Sequence, residues 1–489
     1  MSASETSPRF SSRWGMLLVM LGMAVGTGNI WRFPRIAATN GGGAFLIPWA
    51  IFLLAWSVPL LLCEFGLGKG ARRGPVGAFA SVMGESWAWM GAWVVLTATM
   101  IMFYYTVVTG WCVRYFVGAV SGELPGAEPG AMWEAYAGSW MAVGTMIVGL
   151  GIGLFVVVRG IRGIERAARI LMPVLILLVI VLAVRAVTLP GAERGLAFLF
   201  TPEWSALADS RIWLEALSQN AWDTGAGWGL ALAYATYMRA REDTTINAFV
   251  LGFGNNSISL LAGIMVLCTV FSIRPGAHQE IVGAGNNGLT FIWMPELFAA
   301  MPGGRFFMAL FFLALLVAAL TSLISMIELG TRTLVDRGMG RGRAIAVLGA
   351  AAVVVGIPNA LSLDVFTNQD GVWGVGLMLS GLFFGIAILR YGVERFRIRF
   401  VNSAGSDLTI GRWWDAAMVL VVVEAVVLLS WWLSQTLLEG GWRASLDPLR
   451  TWSTGTILLQ WGVALSLLLL FNRRLARTTE PVELAEERA

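Results

Sequence analysis

Gly22-Met23-Ala24-Val25-Gly26-Thr27-Gly28-Asn29 interrupts an apolar run that would otherwise read as one membrane-crossing helix. Further along, Asp223-Thr224-Gly225-Ala226-Gly227-Trp228-Gly229 interrupts a second. Glycine at this density weakens a helix by about 1 kcal/mol per residue relative to alanine. Close packing of small residues against a neighbouring helix is the ordinary explanation for a single glycine pair. Two such stretches, each with polar residues beside it, favour helices that are broken. Unwinding frees backbone carbonyls that can ligate a cation, and exposes half-helix N-termini whose amides can hold a carboxylate. Broken helices at corresponding places in two halves point to a midplane binding site in an inverted-repeat transporter.

The rest of the chain sets those stretches in a membrane. Of 489 residues, 57% are hydrophobic and 13% charged, and the mean hydropathy is +0.73. A soluble chain carries about 25% charged residues. Apolar runs of about 20 residues, enough to cross a hydrocarbon core of about 30 Å, recur from end to end. Hydropathy predicts spans at 14–38, 42–68, 88–118, 139–158, 165–188, 212–239, 245–273, 303–335, 342–357, 368–391, 413–438 and 452–472. The breaks fall in the first and sixth of these twelve. The expected fold is an all-α integral membrane protein with a 5+5 inverted repeat. Its expected parts are an N-terminal cytoplasmic segment (1–13), a ten-helix core (14–392), two accessory helices (393–472) and a polar, disordered tail (473–489).

Arginine placement gives an orientation. Alternate loops hold Lys69, Arg72 and Arg73; Arg159, Arg162 and Arg166; Arg239 and Arg241; Arg332, Arg337, Arg341 and Arg343; Arg390, Arg395, Arg397 and Arg399; and Arg473, Arg474 and Arg477. The intervening loops carry Glu123, Glu128, Glu134, Glu193, Glu203, Asp209 and Glu280 with few arginines. The positive-inside rule then puts both termini in the cytoplasm, as an even number of spans requires. The expected location is the inner (cytoplasmic) membrane, as a multi-pass protein. Met1 to Arg13 lacks the pattern of a removable signal peptide. The basic residues form no patch suited to nucleic acid, and Cys63, Cys112 and Cys268 have no disulfide or metal spacing.

Ala24-Val25-Gly26-Thr27-Gly28-Asn29-Ile30-Trp31-Arg32-Phe33-Pro34, followed by Asn40-Gly41-Gly42-Gly43-Ala44-Phe45, resembles the neurotransmitter:sodium symporter family. The likeness extends over ten spans, through Glu64, Tyr104-Tyr105, the glycine-rich sixth span and Ala318-Ala319-Leu320-Thr321-Ser322, and is closest in kind to the bacterial amino-acid transporter branch. It implies two sodium sites, and sodium, a hard cation, wants oxygen ligands. One would use the carbonyls of Gly22, Val25 and Ala318 with the hydroxyls of Thr321 and Ser322. For those hydroxyls alone, bonding back to a helix carbonyl would be the commoner arrangement. The other site would use the Ala24 carbonyl, Asn29, Asp223, Asn255 and the substrate carboxylate. Shared ligation couples ion and substrate, each raising the other's affinity.

The resemblance also implies a substrate pocket. The carboxylate would meet the amides near Gly26 and Gly28 and the Tyr105 hydroxyl. Thr27, Ile101, Trp222, Gly225, Trp228, Ser322 and Met326 would line the rest, beside Ala24. Members that carry monoamines place an aspartate where Gly26 stands, so its absence argues for an intact amino acid. Trp222 and Trp228 replace smaller aromatics and reduce the volume, which favours a small neutral substrate such as glycine or alanine. Gly225 returns some space, and two tryptophans could also cage a methylated ammonium such as a betaine-like osmolyte.

The departures from the family pattern matter as much. Asp223 stands where Ser or Thr is usual, Ser259 where chloride-independent bacterial relatives often have Glu, and Trp49 where a tyrosine of the chloride site is expected. An intramembrane carboxylate is costly and by default functional. Asp223, near Gln219, is expected to supply the negative charge that chloride supplies elsewhere; the bland alternative is a protonated Asp bonded in the unwound stretch. Arg32 and Asp370 resemble the outer charged gate, with Asp364 as the other candidate. Asp336 and Tyr237 resemble the inner gate. Its usual arginine is replaced by Ser7, which leaves Arg9 as the nearest basic residue. Glu64 is expected to bond the broken sixth helix, and Glu328 is either structural or proton-linked.

His278, the sole histidine, reads as a solvated loop residue, so an enzyme site of nucleophile and base has nothing to stand on. A channel is the more serious physical rival, because carbonyl ligands and broken helices also build filters. A non-transporting amino-acid sensor is a third. The expected partners are a small amino acid and the lipid bilayer, with the chain a monomer or weak homodimer.

Overall fold

The computed structural model describes residues 9–124, 128–239, 241–403 and 407–477, apart from the side chains of 436, 438–440 and 477. Among them, nine helices are each long and apolar enough to cross a membrane: Gly43–Ala71, Glu85–Ser121, Trp140–Val158, Gly160–Val187, Thr244–Ile273, Gly304–Val335, Arg341–Leu361, Leu363–Tyr391 and Trp413–Gln435. A further span is the pair Arg13–Ala24 and Gly28–Thr39, bent by 54° at the first glycine-rich stretch. Ser210–Asp223 and Leu230–Ala235 flank the second stretch, and Thr454–Leu470 is a shorter apolar helix near the end of the chain. The twelve segments thus follow the order read from hydropathy, with breaks in the first and sixth.

Local chemistry explains where these helices start. Ser12, Ser139, Asp209, Asp243, Ser362 and Ser453 each accept a backbone N–H in the first turn of a span. Such caps satisfy amides that a helix leaves orphaned. Span 10 therefore begins at Leu363, behind the Ser362 cap, rather than at 368: Asp364, Asn368 and Asp370 are helical despite their polarity. The chain end also differs from expectation. Asn472–Arg477 is a short helix, with Leu475 and Ala476 packed on Val76, Ala88 and Ala92, so the tail boundary at 473 cuts through a docked element. The polar tail itself, 478–489, lies outside the described residues.

The spans containing Glu85–Ser121, Gly304–Val335 and Leu363–Tyr391 are the most buried, and the first two pack along one another at the centre, beside the two broken helices. Spans 4, 5 and 11 turn much of their surface outward, where apolar side chains such as Phe155, Leu177 and Val423 face lipid. No hydrophobic effect drives helices together inside lipid, so close van der Waals contact and polar links must do so. Span 2 shows the first of these. A Cβ at Gly68 would lie 2.2 Å from the Leu232 carbonyl oxygen and 2.8 Å from the Ala235 Cβ, so only glycine lets span 2 meet the inner half of span 6.

Gly68→Ala is expected to destabilise the fold by about 1–3 kcal/mol through overpacking, visible as a lower melting temperature of the purified protein. Gly144→Ala, whose Cβ would meet nothing within 4 Å, is the control and is expected to melt like the parent. Equal melting of the two variants would contradict this account of the span 2–span 6 contact.

Candidate functional site

The first break is held by a buried asparagine. Asn29 Oδ1 accepts the Gly26 amide (2.7 Å), while its Nδ2 donates to Asn255 Oδ1 (2.9 Å) and Ser259 Oγ (2.8 Å) on span 7. Ser259 Oγ in turn donates to Asp223 Oδ2 (2.6 Å) at the end of the outer half of span 6. One polar chain thus joins three spans. It is incomplete: Asp223 Oδ1 and Gln219 Nε2 are buried and have no hydrogen-bond partner. Buried polar atoms are nearly always paired, so orphans beside a cavity mark a place for a ligand.

The second break runs through Gly225, Gly227 and Gly229, with φ of +70°, +85° and +77°. Side chains with a Cβ rarely adopt that conformation, which is why the stretch is rich in glycine. Its freed amides are taken by Glu64, a fully buried residue of span 2. Glu64 Oε1 accepts the Gly227 N–H (2.7 Å) and Oε2 the Leu232 N–H (3.0 Å). The outer half is tied by Asn220 Nδ2 to the Trp49 carbonyl (2.9 Å) and by Thr224 Oγ1 to Ser57 Oγ (3.0 Å).

A second oxygen cluster lies deeper, between span 1 and span 8. The Val25 carbonyl is approached by Thr321 Oγ1 (3.5 Å) and Ser322 Oγ (3.4 Å). Thr321 Oγ1 also bonds back to the Val317 (3.1 Å) and Ala318 (3.0 Å) carbonyls, so both arrangements weighed for this hydroxyl occur together. Gly22 closes the cluster, because a Cβ there would stand 3.2 Å from Thr321 Cβ.

Between these clusters lies a cavity of about 420 Å³. Ala24, Gly26, Thr27, Gly28, Ile101, Tyr105, Trp222, Gly225, Trp228, Ser322 and Met326 all line it, together with Asn29, Gln219 and Asp223. Tyr105 Oη sits 3.2 Å from both the Thr27 amide and the Thr27 hydroxyl. A Cβ at Gly26 would lie 2.9 Å from Ser322 Oγ and 3.2 Å from Tyr105 Oη, so glycine keeps that floor open. Trp222 is wedged against span 10, where only Gly374 leaves room for its ring, and Trp228 Nε1 is anchored on the Ala221 carbonyl (3.2 Å). The lining also includes Met23, Trp31, Tyr104, Val108, Leu230, Phe366, Thr367 and the short helical turn at 284–287, which the sequence reading missed. The apolar ones carry no signal that separates them from ordinary helix packing; Tyr104, next to Tyr105, could have been suspected.

The cavity continues to Arg32 and Asp370 and on to the exposed Ala284. These two form no ion pair; Arg32 instead hydrogen-bonds Gln219 Oε1 and lies 5.5 Å over the Trp222 ring. Asp364 does not line the cavity. The arginine-rich side is shut. Phe10 is buried against Tyr234 and Tyr237, and its amide donates to the Tyr237 carbonyl (3.2 Å). Tyr237 Oη donates to Glu328 Oε1 (2.6 Å), and Glu328 is paired with Arg341 at 2.5 Å.

At Asp336 the structure supplies a partner other than Arg9. Its carboxylate pairs with Arg332 (2.8 Å) and accepts the Gly74 amide (2.7 Å), while Arg9 is exposed and makes no ion pair with it. Burial pushes the Asp336 carboxyl above the usual carboxylate range, against the pull of Arg332. Ser7 lies outside the described residues. Trp49 packs on Phe33 with ring centroids 4.6 Å apart and serves Asn220 through its carbonyl, not Asp223 or Ser259 through its ring. His278 stacks on Phe271 at 4.8 Å rather than standing free in solvent.

A twelve-span bundle with two broken helices and a cavity at the breaks is the architecture of a secondary transporter. The model of the sodium:neurotransmitter symporter family matches residues 7–139 and 137–438, and the chain belongs to that family. It is 31% identical over 451 residues to an uncharacterized sodium-dependent transporter of Methanocaldococcus jannaschii, covering 86% of this chain and 89% of the relative. It is 29% identical to the sodium-dependent serotonin transporter of Drosophila melanogaster, over 82% of this chain and 73% of the relative. Among solved structures, it resembles MhsT in complex with L-phenylalanine with a TM-score of 0.76 and 29% identity, covering 87% of this chain and 98% of that one.

Glu64→Gln keeps the size of the side chain but leaves one amide facing an NH2 group. A buried donor without its acceptor costs about 1–3 kcal/mol. The variant is expected to melt lower than the parent and to lose transport, while Glu85→Gln, in an exposed turn, changes neither. Unchanged melting of Glu64→Gln would show that its two hydrogen bonds do not hold the break.

Proposed function

We propose that the protein is a sodium-coupled symporter of a small neutral amino acid, working by alternating access in the inner membrane with both termini cytoplasmic. The observation that carries this reading is a pair of oxygen clusters beside one cavity, which Asn29, Asp223 and Ser322 line. Ala24, Asn29, Asp223 and Asn255 form a sodium site shared with the substrate carboxylate. Gly22, Val25, Ala318, Thr321 and Ser322 form a second site, which ties span 1 to span 8. For the first site to take sodium, the Asn29 amide turns its oxygen from the Gly26 N–H toward the ion. The released Gly26 amide, with Gly28 and the Tyr105 hydroxyl, then meets the substrate carboxylate.

The bulk of Trp222 and Trp228 supports a small side chain, glycine or alanine. A larger neutral amino acid is the second reading, favoured by Gly225 and by the likeness to a protein whose structure contains L-phenylalanine. In the open form Arg32 and Asp370 stand apart; on loading they close over the cavity, and the Phe10–Tyr237–Glu328–Arg341 cluster opens on the other side. Uptake of radiolabelled glycine, alanine, leucine, phenylalanine and betaine into proteoliposomes separates the readings. Glycine or alanine is expected to accumulate best, and only with an inward sodium gradient. Leucine or phenylalanine as the best substrate would contradict the small pocket, betaine would favour the methylated-ammonium reading, and flux without saturation or accumulation would indicate a channel.

Asp223 supports chloride-independent transport. One oxygen is held by Ser259 and the other is buried without a hydrogen-bond partner next to the cavity; in this reading the sodium ion is that partner and the carboxylate carries the negative charge. Uptake is expected to be the same in chloride and in gluconate, and Asp223→Ser is expected to lose activity in gluconate and regain part of it in chloride. Collapse of wild-type uptake on chloride removal would overturn this role.

A further inference from the structure

A second cavity lies outside the transport pathway. On the lipid-facing side, a groove of about 500 Å³ runs between span 11 and the outer half of span 6. Its walls are apolar, with Phe52, Trp213, Leu214, Val423 and Val427 among them. The Trp213 indole is already satisfied by the Leu207 carbonyl (3.0 Å). One ionisable residue faces the groove, Glu424, which is 7% exposed. Its Oε2 is buried without a hydrogen-bond partner, and it forms no ion pair with any described residue.

An unpaired carboxyl inside a hydrocarbon layer costs several kcal/mol unless it is neutral or finds a partner. Glu424 lies inside span 11, about 16 Å along the helix from its start at Trp413 and farther from its other end. The groove runs from the outer end of span 6, at Leu207, Ala208 and Ser210, along apolar walls to that carboxyl. The occupant must therefore bring its polar atom into the core of the bilayer on an apolar body.

We infer that this groove is a binding site for a lipophilic amine, one protonatable nitrogen on a hydrocarbon frame, which enters from the bilayer and pairs with Glu424. The pair shares one proton whichever partner carried it in. A neutral amine takes it from the carboxyl, and an ammonium brings its own. Either way the result is one charge-assisted N–H···O bond of about 2.7–2.9 Å, stronger than a neutral one. The apolar body fills the space against Trp213 and Leu214. This site is independent of the proposed transport reading.

Dicyclohexylcarbodiimide tests the inference, because it modifies carboxyl groups in apolar surroundings. The carboxyl proton passes to a carbodiimide nitrogen, the oxygen adds to the central carbon, and the adduct rearranges to a stable acylurea that peptide mapping locates. Glu424 is expected to be modified in protein reconstituted into lipid nanodiscs. Dodecylamine at ten times its own Kd is expected to slow that modification about tenfold, while dodecanol leaves it unchanged. Radiolabelled dodecylamine should also bind saturably, at one per chain, and Glu424→Gln should lose that binding while keeping sodium-dependent uptake. No modification at residue 424, no protection by the amine, or equal protection by dodecanol would each overturn the proposal. So would protection that rises with protein density in the absence of amine, which would mean that a second copy of the chain fills the groove.

Discussion

A helix that stops inside a membrane leaves amides and carbonyls that lipid cannot satisfy, and the rest of this structure is arranged around that constraint. Glu64 answers it for span 6 by taking the Gly227 and Leu232 amides with its two oxygens. Asn29 answers it for span 1 by capping the Gly26 amide from within the break. The two solutions differ in kind. Glu64 comes from another span and fixes the inner half of span 6 to span 2, where Gly68 allows the backbones to touch. Asn29 belongs to the break it caps, so its oxygen can be given up when a better partner for that oxygen arrives.

That difference links structure to transport. The Asn29 amide spans the first break, span 7 through Asn255 and Ser259, and Asp223 through Ser259. A cation bound among these oxygens would draw spans 1, 6 and 7 together. It would also release the Gly26 amide toward the cavity, where Tyr105 and Ser322 stand close to the same glycine. Ion and substrate then depend on the same few atoms, and each must raise the affinity of the other by an equal factor. The shut side of the molecule is held by different groups, Phe10 with Tyr237, Tyr237 with Glu328 and Glu328 with Arg341. These must part for the cavity to open inward.

Hydropathy and the two glycine-rich stretches carry the number, order and breaks of the spans, because crossing lipid imposes a length and an apolarity that few other structures need. The pocket residues were legible through the motif around Gly26 and the tryptophans of the sixth span. Pairing of charges was not. Asp336 chooses Arg332, four residues back on its own helix, over Arg9, and Glu328 chooses Arg341 from the next span. Such choices depend on where long side chains reach after the helices pack, and a one-dimensional sequence holds no record of that. Trp49 shows the same limit. Its position in the chain suggested the anion region, yet its ring packs on Phe33 and only its carbonyl serves span 6. Glu424 passed unnoticed for a related reason, since one acidic residue in an apolar run gives no hint of the groove it faces.

The central claim is that sodium and an amino acid share ligands at the first break. Thermal stability of the purified protein, measured with sodium alone, with the best substrate of the uptake panel alone, and with both, tests it most directly. Shared ligation requires a gain with both present that exceeds the sum of the separate gains, and Asn29→Ala should abolish the excess. Gains that simply add in the wild type would contradict the account.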